Sequence, residues 1–244
     1  MKYKLYYVGG AVRDKFLGLK PKDIDYSVVI EDYKNDIRCA FADFQVQIES
    51  EGFEVFLSTP DCFTIRAKFP EGHQFKGTAD FVLSRCEKSY IPNTRRPISE
   101  LGTIYDDMLR RDFTVNAMAE DEEGNLYDPF NGLADLNIMT LDTPGDPNLS
   151  FKDDPLRIIR GMRFCITKGF IFSKDVRNAI TEIGIQGMEV VSEERIREEM
   201  YKCFHHDTKK TLEYLNYMED TLRFPIRSYI FDNTNLWLDI TNKK

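Results

Sequence analysis

In the first part of the chain, the pattern of hydrophobic and polar residues predicts short strands that alternate with helices. Strands are expected where β-branched and aromatic residues cluster between turn residues, and helices where apolar residues recur every three to four positions. The predicted strands are 5–8, 24–30, 53–58, 62–69 and 76–84, and the predicted helices are 11–17 and 32–50. This alternation predicts an α/β domain.

The pattern weakens after the fifth predicted strand. Residues 87–106 contain Pro92 and Pro97 and show little periodicity, so we predict a mobile loop there. Helical or mixed structure is expected for 107–119, followed by a hairpin turn at 122–125.

The second part of the chain has helical periodicity. Three helices are predicted, beginning at Asp154–Pro155, Ser173 and Ser192, because proline and serine are favoured at helix starts. The resulting fold prediction is an α/β head, then an all-helical neck, then a short C-terminal segment. The predicted bounds are 1–142, 143–206 and 207–244.

Composition narrows the class of protein. Of the 244 residues, 42% are hydrophobic and 30% are charged, which is typical of a soluble globular protein. No apolar run reaches the roughly 18 residues of a membrane span, and the start does not resemble a signal peptide, so we expect a cytoplasmic protein without a membrane partner.

Five scattered cysteines indicate buried thiols, not disulfides or a zinc site. A net charge of −8 argues against a broad basic surface that coats nucleic acid, but it permits arginines in a cleft and carboxylates for metal ions.

Gly9 and Gly10 lie between the first predicted strand and a helix that carries Arg13. Glycines let a backbone approach a phosphate closely, and a helix start favours an anion. Glycine pairs are also common in plain strand-to-helix turns, and this alternative stays open.

Three aspartates are candidate catalytic residues. Asp23 and Asp25 are two positions apart at the start of a predicted strand, so their carboxylates share a face. Two like charges held together favour a cation, and Mg²⁺ prefers oxygen ligands; two such ions could activate a 3′-hydroxyl and stabilise a leaving pyrophosphate. Asp80, inside an apolar strand, could complete a carboxylate trio. A solvated strand entry is the alternative for the first two.

Arginines are the second group of candidates. One of the neighbouring residues Arg110 and Arg111 could hold a triphosphate. The alternative is a surface arginine pair, with Asp112 as a helix cap or salt-bridge partner. On the helix after Asp154, Arg157 and Arg160 follow the polar side. Arg163 falls at the edge of the apolar side, where it needs an anion from the protein or from a ligand.

Asp154 and Arg157 could together read a nucleotide base. A carboxylate accepts a hydrogen bond from an exocyclic amine, and a guanidinium donates to a neighbouring ring nitrogen or carbonyl. Cytosine and adenine both offer an amine beside an acceptor, whereas uracil has no amine and guanine places a donor where an acceptor is needed. The alternatives are that Asp154 caps the helix and that Arg157 forms an i, i+3 ion pair with it.

Taken in chain order, these segments resemble the motifs of the bacterial-type (class II) tRNA nucleotidyltransferase and poly(A) polymerase family. The matching segments are 8–14 with 17–18 and 23–25, then 110–119, 128–132 with 135–136, 153–157 and 194–197. Asp153 stands where the family more usually has glutamate.

The resemblance implies a head of the polymerase-β nucleotidyltransferase type. In such a head Asp23 and Asp25 would hold Mg²⁺, with Asp80 as the third acidic residue. The loop at 87–106 would be a flexible element that helps the switch from C to A addition. Nucleotide-binding roles are implied for Gly9, Gly10, Arg13, Arg111, Arg160 and Arg163, and base reading for Asp154 and Arg157.

The implied activity is template-independent addition of C and A to the 3′ end of tRNA, with CTP and ATP as substrates. Poly(A) polymerase activity, or addition of only CC or only A, is the alternative within the family. A non-catalytic nucleotide- or RNA-binding module is the alternative from another class. The family usually continues into body and tail regions that grip tRNA, whereas here the neck is followed only by the short segment 207–244. We therefore expect that the RNA is held differently, that the protein is a reduced bacterial or virus-encoded member in a bacterial host, or that a homo-oligomer or a partner supplies the RNA grip.

Overall fold

A computed structural model describes residues 1–20, 24–33, 36–73, 75–90 and 97–232. By its internal contacts the chain divides into two compact units, Met1–Leu133 and Ala134–Lys244. The first unit contains the sheet and the second is largely helical. The α/β head followed by a helical part is therefore confirmed.

In the described part of the head, seven strands form one sheet. The strands are β1 (Lys2–Val8), β2 (Ile24–Glu31), β3 (Glu54–Thr59), β4 (Thr64–Lys68), β5 (Thr78–Leu83), β8 (Ala119–Asp121) and β9 (Leu126–Tyr127). Their order across the sheet is β3-β4-β5-β2-β1-β8-β9. Neighbouring strands run antiparallel except β2 and β5, which are parallel. The tight connection between β8 and β9 confirms the hairpin predicted at 122–125.

One face of this sheet is covered by an amphipathic helix, α2 (Ile37–Ser50). Its buried residues Phe41, Phe44 and Ile48 belong to one hydrophobic core with Phe81 of β5. The helix begins later than the predicted 32 because the Asp36 carboxylate accepts hydrogen bonds from the backbone N–H groups of residues 38 and 39. A side-chain acceptor at this position defines a helix start.

The prediction of a mobile loop over 87–106 is wrong in its described part. Strands β6 (Arg85–Tyr90) and β7 (Pro97–Leu101) pair antiparallel, and helix α3 (Ile104–Leu109) follows. Pro97 is the first residue of its strand, where a missing N–H is tolerated. The two strands are held together by hydrogen bonds between their backbones, and a search for apolar periodicity does not detect such pairing. Residues 91–96 lie outside the described part of the chain.

The remaining helices of the head are short. Helix α1 (Gly10–Phe16) follows β1 directly, and a 3₁₀ turn (Thr114–Asn116) precedes β8. The stretch 107–119, predicted as helical or mixed, is mixed: it contains the end of α3, the 3₁₀ turn and the start of β8.

The second unit is built from helices and one small parallel strand pair. Its elements are α5 (Pro147–Asp153), α6 (Leu156–Lys168), α7 (Lys174–Ile183), α8 (Glu193–His206), α9 (Thr208–Asp220), α10 (Ile226–Asp232), and strands β10 (Thr140–Leu141) and β11 (Ile171–Phe172). Helix α4 (Gly132–Asn137) spans the junction between the units. Helices α6, α7 and α8 confirm the three predicted helices.

In the structure, the boundary between the two units follows Leu133, whereas the sequence predicts the end of the head domain at residue 142. Strand β10 pairs with β11, which lies beyond α6, so this segment belongs to the helical unit. Helices α9 and α10 belong to the same unit, in which Leu215 of α9 and Phe224, just before α10, are completely buried. Among the described residues, no helix combines the length and the apolar character that a membrane crossing needs.

Candidate active site

Two carboxylates lie side by side near one end of the head sheet. Asp25 of β2 and Asp80 of β5 are register partners in the parallel pair, so their side chains share a face. In β5 the core residues Ala79 and Phe81 flank Asp80, which places both carboxylates on the face opposite α2. Asp23 lies outside the described residues, and its pairing with Asp25 stays a prediction.

The glycine turn lies at the same end of the sheet. Tyr7 of β1 pairs with Tyr26 of the antiparallel β2, so the residues after Val8 adjoin the start of β2 and Asp25. Gly9 has a φ of +68°, a conformation that glycine adopts at little cost. The sequence places the turn correctly because strand, glycine pair and helix follow one another directly.

Two guanidinium groups lie against this turn. A Cβ atom on Gly9 would be 2.8 Å from Nη1 of Arg111, and one on Gly10 would be 3.4 Å from Nη2 of Arg13. Four predicted nucleotide-binding residues of the head are therefore brought together: two glycines and two arginines. Backbone N–H groups next to guanidinium groups form a surface suited to phosphate oxygens.

Arg13 is held by a buried polar network. Its side chain is only 7% exposed, and it donates to Asp14 at 2.7 Å and to the Asn116 side chain at 2.5 Å. Asn116 in turn donates to Asp112 at 2.9 Å. Sequence reasoning missed Asn116, which is 103 positions from Arg13 and gives no local signal.

Arg111 is held by a buried carboxylate. Nη2 of Arg111 donates to Asp107 at 2.8 Å, Arg110 also pairs with Asp107, and that aspartate is fully buried. Burial by itself raises the pKa of the Asp107 carboxyl, but the guanidinium groups of Arg111 and Arg110 lower it to about 2. Sequence reasoning missed Asp107. The available signal was its position three and four residues before Arg110 and Arg111, which is the spacing of ion pairs within a helix.

The predicted third carboxylate has a cationic partner that sequence reasoning also missed. Arg66 of β4 contacts both oxygens of Asp80, at 2.5 Å and 2.6 Å. Carboxylate oxygens such as those of Asp25 and Asp80 are suitable ligands for Mg²⁺. Among the residues the structure describes, no group of three or more metal-binding side chains is present.

In the helical unit, Asp154 and Arg157 lie at the start of α6. The Asp154 carboxylate accepts from the backbone N–H of Leu156 at 3.3 Å, as a helix cap does, and it pairs with Arg195 of α8 at 2.8 Å. Arg157 donates to the Ser150 hydroxyl at 2.7 Å. Both side chains are partly exposed, so both can reach a ligand.

Farther along α6, Arg163 has the anion that its position requires. Its Nε donates to Glu199 of α8 at 2.5 Å, and Lys202 contacts the same carboxylate at 2.9 Å. Burial raises the pKa of Glu199, but the charge of Arg163 brings it below its usual range, with Lys202 and Arg160 contributing. Sequence reasoning missed Glu199, which lies just after the last of the family-like motifs.

These features define a class: an α/β head of the nucleotidyltransferase type, with carboxylates and arginines at one end of its sheet, followed by a helical unit. The chain belongs to the family of the poly A polymerase head domain, which matches residues 5–142.

The chain is also similar to curated proteins and to solved structures of CCA-adding enzymes. A multifunctional CCA protein of Nitrosomonas europaea is 33% identical over 201 residues, which cover 81% of this chain and 43% of that protein. A CCA-adding enzyme of Leuconostoc citreum is 30% identical over 82% of this chain and 45% of its own length. The Bacillus stearothermophilus CCA-adding enzyme in complex with CTP is 25% identical with a TM-score of 0.71, covering 87% of this chain and 47% of that one. The chain thus spans less than half the length of these relatives.

Proposed function

We propose that the chain is an RNA nucleotidyltransferase that adds C and A to the 3′ end of tRNA, with CTP and ATP as substrates. The observation that carries this proposal is the contact of the Arg111 and Arg13 guanidinium groups with the Gly9–Gly10 turn, beside the strand that carries Asp25. The named relatives, which are CCA-adding proteins, support it.

The turn would receive the triphosphate. Backbone N–H groups of the glycines and the two guanidinium groups can neutralise charge that builds on the leaving pyrophosphate. Because Asp107 and Asn116 hold the arginines in place, little reorganisation is needed when the nucleotide binds.

The carboxylates would hold the metal ion. Asp25, with Asp23, would bind Mg²⁺, and Asp80 lies in register beside Asp25. When bound there, Mg²⁺ would supply a Lewis acid for the α-phosphate and for the RNA 3′-hydroxyl. This chain's own contribution is the β2–β5 register, which keeps the two acidic side chains on one face of the sheet.

Base selection would depend on α6. The Asp154 carboxylate would accept from the exocyclic amine of C or A, and Arg157 would donate to the neighbouring ring acceptor. Arg195 and Ser150, which contact these two side chains, would fix their orientation. The backbone N–H of Leu156 holds the other side of the Asp154 carboxylate.

The test is extension of tRNA transcripts that end before CCA, after one C and after CC, with each NTP supplied separately and Mg²⁺ present. Wild type should add C, C and A, whereas Asp25→Asn should add none. Asp61→Asn is the matched control, because that side chain is 72% exposed and lies in the turn before β4, which adjoins the end of β5, whereas Asp25 is at the start of β2. A ladder of A on any RNA would indicate poly(A) polymerase activity, and A added only after CC would indicate a split activity. Nucleotide binding without any extension would contradict the proposal and favour a binding module.

Selectivity has its own test. Asp154→Ala and Arg157→Ala should lower the preference for CTP and ATP over UTP and GTP, while the protein retains binding of inorganic triphosphate. Unchanged preference in both variants would remove these residues from base reading.

A further inference from the structure

Three charged side chains form one row across adjacent strands of the head sheet. Arg66 of β4 is the register partner of Asp80 of β5, and Asp80 is the register partner of Asp25 of β2. Register partners on neighbouring strands point to the same face. The order across the sheet is therefore cation, carboxylate, carboxylate, with the predicted metal ligand Asp25 at one end.

The contact of Arg66 with Asp80 engages both carboxylate oxygens. Nε donates to one oxygen at 2.5 Å and Nη2 to the other at 2.6 Å, which is the bidentate geometry of a strong charge-assisted pair. The Asp80 side chain is 23% exposed, and that of Arg66 is 48% exposed. Arg66 therefore occupies the oxygens that a metal ion would need.

We propose that Arg66 is a positioning residue that competes with a divalent cation for Asp80. While the guanidinium holds Asp80, a metal ion at Asp25 meets a weaker negative field and lacks one potential ligand. Removal of the guanidinium frees a second carboxylate beside Asp25 and strengthens cation binding. This inference rests on the proposed function only in that Asp25 is taken as the metal ligand.

The proposal has a consequence for the order of binding. A site with one carboxylate already neutralised holds a lone divalent cation weakly. The triphosphate brings further negative charge to the adjoining glycine turn, so the metal binds together with the nucleotide. Arg66 would thereby limit occupation of the site by metal ions alone.

If the Arg66–Asp80 pair only stabilised the sheet, its removal would change the stability of the fold and not the affinity for a metal ion. Such a pair contributes modestly to the stability of the fold and has no effect on metal affinity. The decisive measurement is therefore metal binding in the absence of nucleotide and RNA.

The experiment is a titration of the purified full chain with Mn²⁺, with free Mn²⁺ measured by electron paramagnetic resonance. Arg66→Met should bind Mn²⁺ about three- to tenfold more tightly than wild type at low salt. Arg66→Lys, which keeps the charge but not the bidentate contact, should fall between them. Lys4→Met is the matched control, because Lys4 forms a cross-strand pair with Glu31 at the other end of the sheet; its affinity should equal that of wild type.

Two further variants assign the effect to the right side chains. Adding Asp80→Asn to Arg66→Met should remove the gain, and adding Asp25→Asn should remove the binding itself. The proposal is overturned if Arg66→Met binds Mn²⁺ no more tightly than wild type, including the case in which neither binds measurably. A gain in Mn²⁺ affinity without any RNA extension by wild type would leave this inference standing and contradict the proposed activity.

Discussion

At the scale of single residues, a few neighbours of Arg13 and Arg111 determine where the two guanidinium groups lie. Arg111 and Arg13 are long side chains with many rotamers, and alone they would sample several positions. Asp107 and Asn116 restrict them, and the absence of a side chain on Gly9 leaves room for Arg111. The effect of each restriction can be measured separately.

Gly9→Ala should weaken CTP binding about tenfold or more, because the new Cβ would displace the Arg111 guanidinium. It should also destabilise the fold by about 1–2 kcal/mol, since Gly9 has φ +68°. Gly18→Ala is the matched control: its φ is +70°, but nothing lies within 4 Å of the added atom. Calorimetric titration with CTP should show unchanged affinity for Gly18→Ala. Equal losses of affinity in both variants would contradict the role of the Gly9 contact.

Asp107→Asn should destabilise the head by about 3–5 kcal/mol, since it leaves the charges of Arg110 and Arg111 without their buried partner. The stability also depends on pH. Because folding lowers the pKa of Asp107 to about 2, its contribution is complete above the unfolded value of about 3.9 and is lost as the pH falls through 2. Urea unfolding of wild type between pH 5 and pH 2 should therefore have a steeper pH dependence than that of the variant. Equal slopes would show that Asp107 does not titrate as proposed.

At the level of elements, helices α6 and α8 are joined by a buried ion pair. Arg163 is 17% exposed and Glu199 6% exposed in their side chains, so each depends on the other for charge compensation. The segment just before α6 is also joined to α8, by the partly exposed Asp154–Arg195 pair, which contributes little to stability. The two pairs therefore differ: the buried one stabilises the packing of the helices, and the exposed one orients the Asp154 carboxylate.

Glu199→Gln should lower the free energy of unfolding of the helical unit by about 2–3 kcal/mol, because Arg163 loses a buried charged partner. Glu198→Gln, one position earlier on the exposed side of α8, should change it by less than about 0.5 kcal/mol. Urea midpoints of the two variants provide the comparison. Similar midpoints would mean that the Arg163–Glu199 pair is not a packing determinant.

For the whole molecule, the helices after residue 206 are part of the helical unit, not an appendage to it. Helices α9 and α10 and the short segment between them contribute buried apolar side chains to its interior. These side chains are Leu215, Met218, Leu222, Phe224, Ile226 and Ile230. A segment that buries this many apolar groups contributes to folding of the whole unit.

Phe224→Ala should destabilise the helical unit by about 3–5 kcal/mol, because the ring is completely buried. Phe231→Ala is the matched control, since its ring is 46% exposed, and it should cost less than about 1 kcal/mol. Thermal unfolding followed by circular dichroism separates the two. If Phe224→Ala unfolds at the temperature of Phe231→Ala, the segment that joins α9 and α10 is not part of the cooperative unit.

Sequence reasoning succeeded where a short stretch of chain specifies the structure. The strand–glycine–helix order located the turn at Gly9, and the apolar period of α6 identified Leu156, Ile159 and Met162 as core residues. It failed at 87–106, where two strands depend on each other for pairing and neither shows the period of a buried element. The sequence predicts a domain boundary after 142, whereas the structure divides after Leu133, because the pairing of β10 with β11 is not visible locally.

The α/β head, the helical second part and the glycine turn follow from the sequence alone, because turn chemistry, helix starts and apolar periods operate over a few neighbouring residues. Which charged side chains meet depends on the tertiary structure. Arg66 and Asp80 are 14 positions apart, Arg163 and Glu199 are 36 apart, and Asp154 and Arg195 are 41 apart. These pairs exist because strand order and helix packing bring distant segments together, and no local pattern encodes that proximity.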